Sequence, residues 1–511
     1  MIKSEVMNQV DAIVEMNPHE LVQYFKKPAH EFTREDIIAF MEDKQIRMLN
    51  FRYVGEDGIL KTLNFVINNR QHLEDLLSCG ERVDGSSLFS YVEAGSSDLY
   101  VIPRFKTAFL NPFTDQPTLE MLCSFYDIHG EPLASAPEHI LRKAATNFRN
   151  ATGYHLKAMG ELEYYVISDI DPLYPGVDQK GYHNPAPFAK WEDLRIEALR
   201  LISKCGGSVK YGHNEVGYFT SDGQAFEQHE IEFLPVDIED TADQLTIAKW
   251  VLRMLGYQYG VTISFAPKIT VGKAGSGLHI HMLLEKDGHN RMVDEEKSSI
   301  SDLAKKMIAG LLELAAPLTA FGNTIPTSYL RLVPHQEAPT NICWGDRNRS
   351  VLVRVPLGWI AKTSMIKDAN PQQKAAIPYV EGKQTIELRS PDGSADIYLL
   401  LAAIAIAARH GLGMEDALKM AEEKYIHVDI FKPEFREKLD SLDKLPASCS
   451  ESADVLAAKR AYFEKDGVFP AGTIDDIILR LKAYNDLVLS EHLYGKKEEI
   501  RELVNKYLHC R

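Results

Sequence analysis

MGELEYYV (159–166) is the stretch on which the reading of this chain turns. Apolar and aromatic residues surround two acids, and the run reads as a β-strand. On a strand, side chains at i and i+2 share a face, so the Glu161 and Glu163 carboxylates project together. Their apolar neighbours argue that this face is not open solvent surface. Two like charges placed in one site need a cation, or one of them must hold a proton. A lone acid-x-acid pair is more often a solvated edge, so the weight comes from what accompanies it.

Four further segments accompany it. HNEVGYF (213–219) carries Glu215, and EQHEIEF (227–233) carries Glu230. SGLHIHMLL (276–284) places His279 and His281 at i and i+2, and QTIELRSPD (384–392) does the same with Glu387 and Arg389. Each histidine alone is more often a satisfied core or surface residue. Together, several strands present acids beside apolar residues. Carboxylate oxygens with one or two imidazoles are the ligand set of Mg²⁺ or Mn²⁺. Arginines follow: Arg331 in SYLRLVP (328–334), then Arg347, Arg349 and Arg354 in RNRSVLVRVP (347–356). Guanidinium forks grip carboxylates and phosphates. Acids for metals and arginines for anions describe a phosphoryl-transfer site. The competing reading is a lattice of interstrand ion pairs, which Arg347 alone fits better. GxxxxGK[ST] and GxGxxG are absent, and the glycine-rich VGKAGSGLHIH (271–281) lacks the Lys-Ser/Thr ending of a P-loop.

At 511 residues the chain has room for about three domains. With 45% hydrophobic and 25% charged residues it has globular composition. A net charge of 57 − 73 = −16 argues against a nucleic-acid or anionic-membrane binder. Six dispersed cysteines without a CxxC pair suggest reduced thiols in a cytoplasmic protein. The first twenty residues do not read as a signal peptide. IYLLLAAIAIAA (397–408) is too short to span a bilayer and reads as a buried helix.

The chain is expected to be α+β. Val6, Val10, Ile13 and Val14 suggest an amphipathic helix ahead of Pro28, and Thr33 starts a second helix with Asp36 three residues on. IRMLNFRYV, ILKTLNFVI, LYVIPRF and LEMLCSFYDI read as strands, with GEDG (55–58) as a hairpin turn. IHGEPLASAP (128–137) reads as a boundary. The divisions are a helical extension over 1–40, a sheet-rich domain over 41–134 and a larger domain over 135–511. In the last, helices are expected near 138–150, 192–205, 240–256, 300–320, 396–410, 414–425, 452–464 and 473–493. Strands are expected near 158–168, 208–217, 227–234, 261–270, 277–285, 329–334, 350–356 and 384–389.

These motifs, in this order, resemble those of the glutamine synthetases, closest to the bacterial type I enzymes. DGSS (84–87), the acid-x-acid strand, HNE, QHEI, GSGLHIH, RLVPHQEAPTN, RNRS and ELRSPD carry the resemblance, which runs from about Ile46 to the C-terminal helices. It implies a β-grasp domain followed by a catalytic domain, sites shared between neighbouring subunits, and a homo-oligomer of two stacked hexameric rings. It implies that ATP phosphorylates the γ-carboxylate of glutamate and that ammonia displaces the phosphate. By resemblance, Glu163, Glu215 and Glu230 hold one metal, and Glu161, His279 and Glu387 the other. His281 lies on the phosphate side. Arg331, Arg389 and the Gly275 backbone bind glutamate, Arg349 and Arg354 neutralise the transferring phosphoryl group, and Glu337 is the flap acid.

Several positions depart from the family pattern. Gly55 stands where an ammonium-binding Asp is usual, and Ala274 where Asn precedes GSG. Lys210 replaces an acid, Gln384-Thr385 replaces an Arg pair, and about twenty extra residues lie between Pro356 and Gln384. No tyrosine adenylylation stretch is found near 424–435. Three readings follow: a glutamate–ammonia ligase, a γ-glutamyl ligase for a larger amine such as a polyamine or ethanolamine, and a catalytically silent binding protein. The clustered acids, which cost stability without a cation, argue against the third.

Overall fold

A computed structural model describes residues 14–90, 92, 97–294, 299–333, 338–358, 363–374, 382–430 and 432–510. The expected helix through Val6, Val10 and Ile13 lies outside these residues. Thr33 does start a helix, Arg34–Asp43, through reciprocal bonds in which Thr33 caps Asp36 and Asp36 caps Thr33.

The first sheet contains β1 (Met48–Val54), β2 (Leu60–Val66), β3 (Glu81–Asp84), β4 (Asp98–Pro103), β5 (Phe109–Leu110) and β6 (Thr118–Tyr126), in the order β2-β1-β6-β4-β3 with β5 on β6. GEDG closes the β1–β2 hairpin, with the Gly58 N–H donating to the Gly55 carbonyl at 3.0 Å. Helix Arg70–Cys79 crosses over to β3, burying Leu73, Leu76 and Leu77. Phe51, Val101, Met121 and Phe125 anchor a separate core here.

The second sheet is built from β7 (His155–Asp169), β8 (Val209–Ser221), β9 (Gln224–Phe233), β10 (Val236–Asp237), β11 (Thr262–Ser264), β12 (Leu278–Lys286), β13 (His289–Asn290), β16 (Trp344–Asp346), β17 (Val353–Val355) and β18 (Ile386–Leu388). A separate ribbon joins β14 (Val293–Asp294) to β15 (Ser299–Ile300). The main order is β16-β17-β18-β12-β7-β9-β8. Alternation sorts its two faces. Leu162, Tyr164, Ile231, Leu278, Ile280, Ile386, Leu388, Val353 and Val355 join the main core. Each large apolar side chain buried there contributes about 1.5–3 kcal/mol. Leu245 of helix Ile238–Tyr259 lies 2.8 Å from where a Gly160 Cβ would stand, so that helix packs directly on this face. The acids, at the alternate positions, are left on the other face.

Helix Ile397–Gly413 is buried almost throughout, as its apolar run predicts. Among the described residues no single helix is long and apolar enough to cross a membrane. None of the six cysteines, all among the described residues, is in a disulfide. The two sheets are tied by Arg104, whose guanidinium donates to both Asp243 oxygens at 2.8 Å, and by Lys106 on Asp240 at 2.5 Å.

Two strand expectations need correction. Only Thr262–Ser264 of 261–270 is a strand. The stretch expected as a strand at 329–334 begins instead with the α-helical turn Ser328–Arg331. Pro326 sets a helical φ, and the Tyr329 N–H donates to its carbonyl at 3.2 Å. Ser328, Tyr329, Leu330 and Arg331 are all buried, so the sequence shows no polar face from which to read a period.

Candidate active site

Strand register gathers the chemistry-bearing residues on the face opposite the helices. Glu161 lies across from His279 on β12 and from Glu232 on β9. Glu163 lies across from Glu230, which lies across from His213 on β8. His281 lies across from Glu387 on β18, and Glu387 across from Arg354 on β17.

Two groups of three donors result, each with ligand atoms within 4.8 Å of one another: Glu161, His281 and Glu387, and His213, Glu215 and Glu230. That spacing suits a divalent ion with ligand bonds of about 2.1–2.4 Å. His281 Nε2 lies 2.8 Å from Glu161, and His279 Nδ1 lies 3.0 Å from Glu161 and 3.6 Å from Glu387. His213 Nε2 lies 3.3 Å from Glu230.

The six acids and histidines expected as ligands fall in one patch. The two trios add His281 to Glu161 and Glu387, beside His279, and His213 to Glu215 and Glu230. One Glu163 oxygen accepts from the Gly277 N–H at 2.8 Å and Gln228 Nε2 at 3.1 Å, and the other lies 3.8 Å from His279 Nε2. Glu215 lies where β8 shifts register between Asn214 and Tyr218, 3.9 Å from His213 Nδ1.

The electrostatics of this face suit a cation. Burial first, then Glu161, Glu163, Glu215 and Glu232, push the Glu230 carboxyl well above its usual range. Burial would raise Glu161 too, but His281 and His279 outweigh it and hold that carboxyl well down. Glu232 Oε2 is buried without a hydrogen-bond partner. A divalent cation relieves such a set, and its oxygen and imidazole donors fit Mg²⁺ or Mn²⁺.

The arginines frame the patch. Arg354 donates to Glu387 at 2.8 Å, and Arg389 Nε donates to the other Glu387 oxygen at 3.0 Å. Arg389 also donates to the Arg349 carbonyl. Burial lowers the pKa of the Arg349 guanidinium, but Tyr182, Glu215 and Glu387 together raise it. Arg331 reaches the Ser390 carbonyl at 2.8 Å and the Arg389 carbonyl at 3.2 Å. A Cβ on Gly275 would stand 2.6 Å from the Pro267 carbonyl and 3.0 Å from Arg331 Cγ, so only glycine lets this loop approach Arg331. Glu337 lies outside the described residues.

The departures have definite places. Glu56 accepts from the Ser90 N–H at 2.7 Å and hydroxyl at 3.1 Å, while Asp57 pairs with Lys61 at 2.6 Å. A Gly55 Cβ would stand 2.8 Å from Lys61 Cε. Lys210 pairs with Glu232 at 2.7 Å, Thr385 bonds His281 Nδ1 at 3.0 Å, and the Ala274 carbonyl accepts from Tyr165 at 2.9 Å. Sequence reasoning passed over His213 and Glu232. Each sits two residues from an acid already singled out, Glu215 and Glu230, so the i, i+2 rule that found Glu163 also reaches them.

Comparison with known proteins agrees with this architecture. The family model "Glutamine synthetase, catalytic domain" matches residues 134–484, and "Glutamine synthetase, beta-Grasp domain" matches 45–128. The glutamine synthetase of Clostridium saccharobutylicum is 29% identical over 433 residues, covering 83% of this chain and 89% of that protein. That of Frankia alni is 28% identical over 502 residues, covering 91% and 98%. The Plasmodium falciparum glutamine synthetase structure shares the fold at a TM-score of 0.72 and 20% identity, covering 91% of this chain and 99% of its own. A structure titled apo GmaS does so at 0.68 and 20%, covering 88% and 94%. With a β-grasp domain leading into a catalytic domain whose sheet gathers carboxylates, imidazoles and guanidinium groups on one face, the chain belongs to the glutamine synthetase family.

Proposed function

We propose that this protein is an ATP-dependent glutamate–ammonia ligase working through γ-glutamyl phosphate. The observation that carries the reading is the paired trios Glu161–His281–Glu387 and His213–Glu215–Glu230, flanked by Arg331, Arg349, Arg354 and Arg389. Two Mg²⁺ or Mn²⁺ ions on this face would neutralise the ATP phosphates. Glu161, Glu163, Glu215, Glu230, His279 and Glu387 are the proposed metal-site residues, with His281 and His213 completing the two trios. Arg331, Arg389 and the Gly275 backbone orient the glutamate carboxylates. Arg349 and Arg354 meet the charge that builds on the phosphoryl oxygens, beside His281. Glu337 is the proposed base for the incoming amine, on a flap that excludes water.

The site's outer wall is proposed to come from the β1–β2 hairpin of a neighbouring subunit, so the enzyme is a ring-forming homo-oligomer. One observation favours a second reading, a larger amine as acceptor. Gly55 offers no side chain, and Glu56 and Asp57 are both engaged elsewhere. The test is phosphate release dependent on ATP and glutamate, measured across ammonia, ethanolamine and diamines. No release with any amine refutes the ligase reading, and release favouring a diamine selects the second.

A further inference from the structure

A cavity of about 730 Å³ opens among helix ends of the second domain, lined by residues none of which belongs to the acidic face. Its walls come from the end of helix Pro137–Thr152 with Tyr154, from helix Asp302–Glu313, from the C-terminal turn of helix Ile397–Gly413, and from the end of helix Cys449–Glu464.

Its chemistry is divided. One part is apolar and aromatic: Leu303, Ile406 and Leu412 with Tyr154 and Tyr462. Tyr462 packs edge-on against His410, centroids 4.8 Å apart. Burial lowers the His410 pKa, which leaves a neutral imidazole. The other part carries Lys306, Arg409 and Lys465 against one acid, Asp466. Asp466 pairs with Arg409 at 2.9 Å, and it adopts φ +59° in the turn after its helix.

Arg409 is held by Asp466, and Lys465 caps a helix C-terminus, where a cation offsets partial negative charge. Lys306 has no such explanation. It stands in the second turn of its helix, away from either end, and no carboxylate pairs with it among the described residues. A cation in that position, facing an open cavity in a chain of net charge −16, suits an anion from solution.

We infer that this cavity binds a small organic anion with a flat ring, its phosphate or carboxylate on Lys306 and Lys465 and its ring against Tyr154, Tyr462 and the aliphatic wall. The volume falls in the range of small-molecule sites. This inference is independent of the proposed reaction.

The test uses phenyl phosphate as probe, titrated by calorimetry into the full-length protein with ADP and Mg²⁺ saturating. Saturable binding is expected, at least tenfold tighter than inorganic phosphate because the ring adds apolar contact. K306E/K465E should weaken it at least tenfold. A461W, which fills the aromatic end, should remove the advantage over inorganic phosphate. Absence of saturable binding overturns the inference. So does binding that K306E/K465E leaves unchanged, since that signal would come from another site.

Discussion

Asp57→Ala separates the two acceptor readings. Asp57 is 46% exposed in its side chain, accepts from the Ile59 N–H at 3.1 Å, and pairs with Lys61 at 2.6 Å, an ion pair worth at most about 1 kcal/mol. Glu56 is held harder: its side chain is 18% exposed and accepts both the N–H and the hydroxyl of Ser90. Hydrogen bonds to a charged group contribute about 1.5–3 kcal/mol each. Freeing Asp57 to meet an ammonium ion is therefore the cheaper change, by roughly 0.5–2 kcal/mol. If ammonia is the acceptor, Asp57 holds it. Losing one charge-assisted contact of about 1.5–3 kcal/mol then raises the ammonium KM about ten- to 150-fold in Asp57→Ala. Asp57→Asn, which keeps the shape and drops the charge, should behave alike. Formation of γ-glutamyl phosphate, trapped with hydroxylamine as the γ-glutamyl hydroxamate and followed as ADP release, should be spared. An ammonium KM within twofold of wild type refutes the assignment. Together with kcat/KM for a diamine well above that for ammonia, it would establish the larger amine as substrate.

Glu163→Ala and Glu387→Gln should each abolish phosphoryl transfer at saturating Mg²⁺, read as glutamate-dependent ADP release. The glutamine substitution suits Glu387 because alanine would also strand Arg354 and Arg389, at about 3–5 kcal/mol of stability. Arg389→Ala should raise the glutamate KM at least tenfold while moving the ATP KM much less, and equal shifts in both would remove Arg389 from the glutamate site. Glu138, buried and accepting from the Phe125 N–H at 2.9 Å, is pushed up to about 7 chiefly by burial. The folded state therefore keeps a proton that the unfolded chain loses at about 4.5, so its contribution is full below pH 4.5 and is lost as pH rises through 7. Glu138→Gln should stabilise the protein above pH 7 by about 3 kcal/mol and flatten its urea-midpoint profile between pH 4.5 and 7, whereas parallel profiles would show that Glu138 does not titrate there.

Much of the fold was legible because strand periodicity is local covalent geometry. His279 and His281, Glu161 and Glu163, and Glu387 with Arg389 share faces whatever the rest of the chain does, and their apolar neighbours mark the opposite face as core. The Thr33 cap, the GEDG turn and the buried Ile397–Gly413 helix follow from equally local rules. Arg331 was not legible in this way, because a wholly buried stretch carries no contrast between faces, and its side chain is placed by packing against Ser390 and Gly275.

The composition of the site was decided by tertiary structure. β12 lies beside β7 and β18 beside β12 across about a hundred residues of intervening chain each, so no spacing rule reveals which imidazole meets which carboxylate. Strand order brings His281 onto Glu161 and His213 onto Glu230, and the Gly277 N–H donates to Glu163. The same holds for the hairpin acids: residue type marks Glu56 and Asp57 as candidates, while Ser90 and Lys61 decide what each is free to do. Residue type and period set which groups can face a common space. Long-range pairing, whose energy depends on partners far away in the chain, sets the distances between them and therefore the chemistry.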